Sequence, residues 1–348
     1  MDDEKDLDRF FDNVKETKLK KTITKAKRRS IIRNIMISVL VVAVLLIGGS
    51  IANNELNYRL EGPIQIAVDN FNKISAPNKY IGQVKRYHGF LGGKNEYTTY
   101  KLIEGKVVYT GEGTYSYGIL QNDYGSWIGM ESPLILGSSF GIDDLKLQRF
   151  NELGQKEMVF FYPFINYSEY KNDLQILDQL EENKIMEMAL SFDKAYSMDQ
   201  VKKMIPGNVT LAWYWIDDMN DQEKEEKQPR KEESTNPNGG EEIIEMPARI
   251  VSEQRAYGIK ALNENGEPLE EPEQEFFWAL KNGKEYDTRY KGEFERVYHH
   301  VVGEDGQLAK EDIKVFGVVV TGDRESLKSL SKLPFIKASS MGVIVDRY

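Results

Sequence analysis

Cysteine is absent from this 348-residue sequence. That excludes disulfides, thiol catalysis, cysteine-ligated zinc and a lipidated cysteine anchor. Histidine is almost as scarce, with three residues, His88, His299 and His300. As neighbours on a strand, His299 and His300 would point to opposite faces and could not chelate one ion together. No H-E-x-x-H or P-loop spacing occurs, and Gly111-Glu112-Gly113 is not completed to a G-x-G-x-x-G loop. Acids are plentiful, but nothing selects a carboxylate pair. The residues therefore nominate no catalytic group, no metal ligand and no cofactor.

Long apolar runs are also lacking, except for one. Residues Asn34 to Asn54 contain no charged side chain, and Ile35 to Ile47 is almost wholly aliphatic. A run of 18 or more apolar residues can cross the roughly 30 Å hydrocarbon core of a bilayer as a helix. We therefore expect a single transmembrane helix over residues 31–52. It divides the chain into a cytoplasmic piece, 1–30, and a much larger remainder.

Charge next to the span sets its direction. Lys18, Lys20, Lys21, Lys25, Lys27, Arg28, Arg29 and Arg33 precede it with no acid among residues 17–33. They serve as a topology signal, which places the N-terminus in the cytoplasm and the C-terminal domains outside. A cleaved signal peptide fits less well, because its apolar core would be shorter and its basic leader briefer. Residues 1–33 carry eleven basic and seven acidic groups, and the rest of the chain 35 and 49, a net −14. An exterior so acidic argues against DNA, RNA or anionic lipid as its ligand.

The cytoplasmic piece has one pattern. Leu7, Phe10, Phe11 and Val14 recur at i, i+3, i+4 and i+7, a narrow apolar stripe on one helix. Two phenylalanines on a short free helix need a partner, either lipid or a groove in a cytoplasmic protein.

Beyond the span, helical spacing returns from Glu61 to Ile74. Gly-punctuated strands follow at Tyr80–Tyr87, Tyr97–Ile103, Lys106–Gly111 and Thr114–Leu120, with a hairpin turn at Ile103–Lys106. Met158–Tyr162 reads as a strand and Glu169–Asn183 as a helix. We expect an α+β domain over 53–185. Residues 217–246 are acidic with little apolar content, which suggests a disordered loop. Strand, helix and strand are expected at Glu187–Phe192, Ser197–Ile205 and Val209–Asp217. The same order recurs at Val315–Thr321, Arg324–Leu333 and Ile336–Asp346. Two such units within 186–348 suggest a ferredoxin-like split βαβ domain, interrupted by the acidic loop. Trp213 and Trp215 would share one strand face, as would Tyr115 and Tyr117. Each pair is either core or an exterior binding face for glycan or peptide.

Particular segments resemble a known family. Leu190 to Lys194 followed by Val209 to Asp217 is similar to the C-terminal domain of the bacterial sigma factor regulator family. So is Gly317 to Gly322 followed, after a helix, by Ala338 to Val343. The basic stretch and span, about residues 17–60, resemble that family's N-terminal module. The resemblance implies a single-pass membrane anti-sigma factor of Gram-positive bacteria. It implies an extracytoplasmic-function sigma factor as partner, with a small membrane protein as co-regulator. Leu7, Phe10, Phe11 and Val14 are then the expected sigma contacts. The competing expectation is an envelope binding or structural protein with an inert cytoplasmic stub.

Overall fold

The computed structural model describes residues 3–119, 134–136, 148–235 and 241–348. The chain begins with one long helix, α1, Asp3–Ile74. Two compact units are present, Met1–Tyr58 and Arg59–Tyr348.

The first unit is helix alone. An 18-residue window in it has a mean hydropathy of 2.7 and none of that window is buried. The helix is therefore long and apolar enough to cross a membrane. Leu40, Leu45 and Leu46 are all exposed. Apolar surface on that scale is stable only when something other than water covers it.

The second unit is mixed α and β. Helix residues 59–74 bury Ile64, Ala67, Val68, Phe71 and Ile74, the i, i+3, i+4, i+7 stripe that the spacing predicts. The strands β1 (Lys79–His88), β2 (Gly92–Ile103) and β3 (Lys106–Gly118) form an antiparallel meander against it. The expected separate strands at Lys106–Gly111 and Thr114–Leu120 are one strand. A register shift opposite Thr99 and Tyr100 leaves Thr110 as the extra residue, and Gly111 and Gly113 stay paired with Thr99 and Tyr97. Two short strands follow, β4 (Leu134–Leu136) and β5 (Gln148–Phe150), then β6 (Val159–Phe160). In place of a helix across Glu169–Asn183 there is only a 3-10 segment, Asp173–Gln179. Its N-terminal side is tied along the sheet edge by Ser339 N to Lys171 O and by Met341 N to Asp173 Oδ2. Those tethers leave too little free chain for a full helix.

The second half supplies the main sheet. Strand β7 (Lys184–Tyr196), helix α2 (Met198–Met204) and strand β8 (Thr210–Ile216) make the first unit of strand, helix and strand. Ser197 caps α2 and Gln200 closes the capping box. The acidic segment is structured where described. It holds helix α3 (Asp221–Glu225), capped by Asn220, and a hairpin of β9 (Arg230–Thr235) and β10 (Glu241–Met246). The expected disordered loop over 217–246 is thus corrected. A capping box and ladder hydrogen bonds order backbone that has few apolar side chains to pack. Next come β11 (Val251–Ser252), β12 (Gly258–Lys260), α4 (Pro272–Glu285) and α5 (Lys291–Val301). The second strand, helix and strand are β13 (Val315–Asp323), α6 (Arg324–Lys328) and β14 (Ile336–Asp346).

The five-stranded order is β12-β8-β13-β7-β14, and every neighbouring pair is antiparallel. Each of α2 and α6 joins two strands separated by one other strand. Met198 and Val201 of α2 and Leu327 of α6, with Leu330 of the 3-10 turn after it, are buried in the same cluster as Met186, Leu190, Val318 and Phe71. The opposite face carries Trp213, Trp215, Val319 and Ala189 against Phe160, Phe161 and Ile165. The boundary expected between residues 185 and 186 falls inside β7 and inside this one unit.

Two glycines mark where strands must approach closely. A Cβ at Gly317 would meet Leu190 O and the Trp215 ring. One at Gly258 would meet Tyr214 O and the Trp213 ring. Both lie beside the tryptophans of β8, where backbone and indole leave no room for a side chain.

Candidate functional site

The joint where α1 enters the second unit gathers the most unusual chemistry. Helix residues 59–74 end at Ile74, and Ser75 to Asn78 turn the chain back into β1. Ala76 and Asn78 both have positive φ, 52° and 50°. Such angles cost free energy in residues with a Cβ and persist only where surroundings enforce them. Ser75 N and Oγ both donate to Phe71 O, and Lys79 N donates to Ala76 O. Asn78 Nδ2 donates to Leu102 O at 2.9 Å and to Glu187 Oε2 at 3.3 Å.

The helix is gripped at two levels. Near the N-terminal end of residues 59–74, buried Glu61 accepts from Arg86 Nε of β1 at 2.9 Å and from Asn95 Nδ2 of β2 at 2.6 Å. Asn95 also donates to the Tyr115 hydroxyl of β3 at 2.9 Å. One carboxylate thus links the helix to all three strands of the meander. Near Ile74, Lys260 of β12 donates to Asn72 Oδ1 and to Lys79 O, each at 2.5 Å. Its ammonium also lies 4.4 Å from the centre of the Tyr80 ring. Burial pushes the Lys260 pKa down to about 7, with Glu264 and Glu275 opposing and Lys73 and Lys79 reinforcing the fall. Between the levels, Phe71 stacks on Tyr290 at 4.5 Å and meets Tyr257 and Phe294 edge-on.

Beneath the turn lies an ion triad. Lys101 Nζ of β2 is 2.5 Å from Glu187 Oε1 of β7 and 2.9 Å from Glu253 Oε1. Glu187 Oε1 also accepts from Val343 N, and Glu253 Oε2 from Met158 N. Burial opposes the charge on Lys101, but the two carboxylates outweigh it and hold its pKa above the ordinary lysine value. Burial raises Glu187, with Lys101 opposing and Glu253 adding to the rise. A small cleft beside the triad is lined by Ala76, Pro77, Lys79, Lys101, Glu157 and Glu253, so it opens on the turn itself.

The residues nominated from sequence are placed as follows. Leu7, Phe10, Phe11 and Val14 fall within the helical backbone of α1. Their side chains lie outside the described residues. Lys18, Lys20, Lys21, Lys25, Lys27, Arg28, Arg29 and Arg33 are exposed on α1. Trp213, Trp215, Tyr115 and Tyr117 are each no more than 4% exposed, at 0, 1, 3 and 1%. The alternative of an exterior binding face is therefore corrected. Phe160 packs on both indoles at 5.8 and 5.1 Å, and the helix covers the tyrosine face of β3.

Other sequence features among the described residues form no site. His299 and His300 sit in α5 rather than on a strand, and His300 Nε2 faces Glu223 at 3.0 Å. Among the described residues no group of three or more His, Asp or Glu could hold a metal ion. The segment Gly137-Ser138-Ser139-Phe140-Gly141 does have a G-x-S-x-G spacing and lies outside the described residues. Ser168 to Lys171, Ser191 to Lys194 and Ser329 to Lys332 have S-x-x-K spacing. Lys171 faces Asp173, Lys194 lies over the Tyr196 ring and Ser329 Oγ donates to Ser326 O, so none of the three pairs is arranged as nucleophile and base.

Lys101, Glu187, Glu253 and Lys260 were not nominated from sequence. A signal existed: Glu187, Lys101 and Lys260 are single charges flanked by large or apolar residues within strands.

Comparison with protein families gives two matches. A model described as Sigma factor regulator N-terminal matches residues 20–108, which include the basic flank, the apolar run, Glu61 and β1 and β2. One described as Sigma factor regulator C-terminal matches residues 177–343, which include β7 to β13 and most of β14. No curated protein and no solved structure matches the chain.

Proposed function

The chain belongs to the sigma factor regulator family, and from that premise we propose that it is a membrane-anchored anti-sigma factor for an extracytoplasmic-function sigma factor. The family is regulatory rather than catalytic, and its partner is a sigma factor. The cytoplasmic segment, through Leu7, Phe10, Phe11 and Val14, holds that factor at the bilayer. The single span anchors the protein, and Arg59–Tyr348 lies outside and couples an envelope signal to release. A small membrane protein beside the span acts as co-regulator.

The observation that carries this reading is the coincidence of the two family matches with one bare apolar helix between basic and acidic chain. The basic residues from Lys18 to Arg33 support the inward orientation. Confinement at the membrane raises effective concentration, so a short helix with few contacts suffices to hold a soluble factor. The antiparallel order β14-β7-β13-β8 with its two crossing helices supports a ferredoxin-like split βαβ core, to which β12 adds an edge strand.

The test is transcriptional. Replacing Leu7, Phe10, Phe11 and Val14 with Asp removes anchor contacts that each contribute on the order of 1–2 kcal/mol, so a sigma-dependent reporter should rise at least about tenfold. The membrane level of the protein is measured alongside. Unchanged transcription at normal membrane level overturns the assignment.

A further inference from the structure

Strand β1 retraces the helix. Lys260 ties Asn72 to Lys79 at one end, and Arg86 reaches Glu61 and Gln65 at the other. The turn joining β1 to β2, Gly89 to Gly92, therefore lies past Glu61, in the direction of the helix N-terminus. Glu61 follows Asn54, the last residue of the uncharged run, by seven positions. That is about 10 Å as helix and at most about 25 Å as extended chain.

The turn breaks two local rules. Phe90 is 85% exposed at its apex, and Leu91 has a positive φ of 57°. A bulky residue in the left-handed region is an outlier, and a bare phenylalanine beside it is unsupported by any packing. Tyr87 and Ile119 are also exposed at this end of the sheet, at 52 and 58%. Ile119 N donates to Leu91 O, so Ile119 stands next to the turn. Residues 83–94 contain Lys85, Arg86 and Lys94 and no acid; Arg86 is paired with Glu61, and Lys94 with Glu96, which stands opposite Lys85 in the ladder. Exposed aromatics with flanking lysines fit the headgroup region of a bilayer, where rings meet the acyl boundary and ammonium groups meet phosphate.

We propose that the β1–β2 turn, with Phe90 at its apex and Tyr87 and Ile119 beside it, inserts into the outer headgroup layer of the membrane that the span crosses. The exterior unit is then held to the bilayer at two points, the span and the turn. Because Arg86 and Glu61 join β1 to the helix, a change in lipid packing at the turn reaches the helix directly. The inference rests on the membrane reading above.

The absence of cysteine makes single labels straightforward. The full chain, reconstituted in phosphatidylglycerol-containing vesicles, carries an environment-sensitive fluorophore at Phe90→Cys, Ile119→Cys, Val107→Cys or Leu45→Cys. Val107 is exposed at the far end of β2 and β3, about 35 Å away at 3.3 Å per residue. Labels at 90 and 119 should lose most of their emission to headgroup-level nitroxide lipid and little to aqueous iodide, and the label at 107 the reverse. Adding Phe90→Asp should return the label at 119 to iodide, which separates insertion by the turn from insertion by the dye. Quenching of position 45 by acyl-chain nitroxide checks the span. If 45 is quenched and 90 and 119 respond only to iodide, the turn does not enter the membrane and this proposal fails while the anchor stands. If 45 is not quenched either, both fail.

Discussion

Replacing Lys101 with Met tests how the second unit is held together. The side chains are of similar length, so the change removes charge and three donors more than it removes volume. It leaves Glu187, fully buried, and Glu253, 12% exposed, without the cation that stands 2.5 and 2.9 Å from them. Removing one member of a buried ion pair costs about 3–5 kcal/mol, because the remaining charge stays desolvated. The variant's own pH dependence follows from Glu187. Burial already raises its pKa above the ordinary glutamate value, and loss of Lys101 removes the opposing effect. The folded variant then binds a proton in a range where the unfolded chain has released it. Stability must fall as pH rises from the unfolded glutamate pKa through the folded one. The deficit against the parent chain is therefore smallest near pH 5 and largest near pH 8. Urea unfolding of the full chain in detergent, followed by the buried tryptophans of β8, measures this. At about 3 kcal/mol per molar urea, the midpoint should fall by about 1–1.7 M at pH 8. Adding Glu187→Gln should recover part of the loss. A deficit below about 1 kcal/mol, or one independent of pH, would show that the triad does not hold the two sheets together.

Lys260→Met should flatten a second pH dependence. The folded pKa of Lys260, about 7, lies below its unfolded value, so the unfolded chain binds more protons between pH 7 and 10.5 and stability rises through that window. Between pH 7 and pH 9 the parent should gain about 2 kcal/mol that the variant does not; equal slopes in urea titrations at the two pH values would refute the buried placement. Trp215→Ala empties a site packed by Phe160, Tyr162 and Phe316 and should cost about 3–5 kcal/mol. A loss within the range of surface substitutions, about 0.5 kcal/mol, would mean that the indole is exposed after all.

Legibility followed the physics of each signal. The apolar helix was plain because residues 34–54 form one long uncharged run, of the length and polarity that crossing a bilayer demands. The stripe Ile64 to Ile74 was plain because one helical face meets the core. Both units of strand, helix and strand were readable, since the apolar runs at β7, β8, β13 and β14 are long and the caps at Ser197 and Asp323 are strong. Strand β12 was not, because three residues carry no periodicity and its place at the edge is decided by Gly258 fitting against Trp213. The helix expected at Glu169–Asn183 was lost to tethers from β14, which no local pattern encodes. The tryptophan faces were ambiguous, because a two-sided buried sheet and an exposed aromatic face share the same alternation. The joint was harder still. Lysines and glutamates are read as solvent-facing by default, and Lys101, Glu187 and Lys260 depart from that only when the three strands that bear them are stacked.

On the proposed reading, the arrangement of the joint bears on how a signal leaves the exterior unit. Helix residues 59–74 are held at Glu61 by β1 and β2 and at Asn72 by β12, eleven residues or about 16 Å apart. The two grips belong to different sheets. Glu61 is fastened to the three-stranded meander, whereas Lys260 belongs to the edge strand of the five-stranded sheet. Lys101 with Glu187 fastens those sheets to each other directly beneath the strained turn at Ala76 and Asn78. A shift of one sheet against the other therefore cannot be absorbed in the helix, which is rigid over four turns, and must appear as a change in its tilt or its grip. Buried polar contacts suit that role better than apolar ones. Their geometry is directional, so a small displacement costs them sharply, whereas packed methyl groups slide with little penalty. Asp173, Asp218 and Glu273 are buried elsewhere in the unit, but the buried charges at the joint are the ones that tie the helix to both sheets.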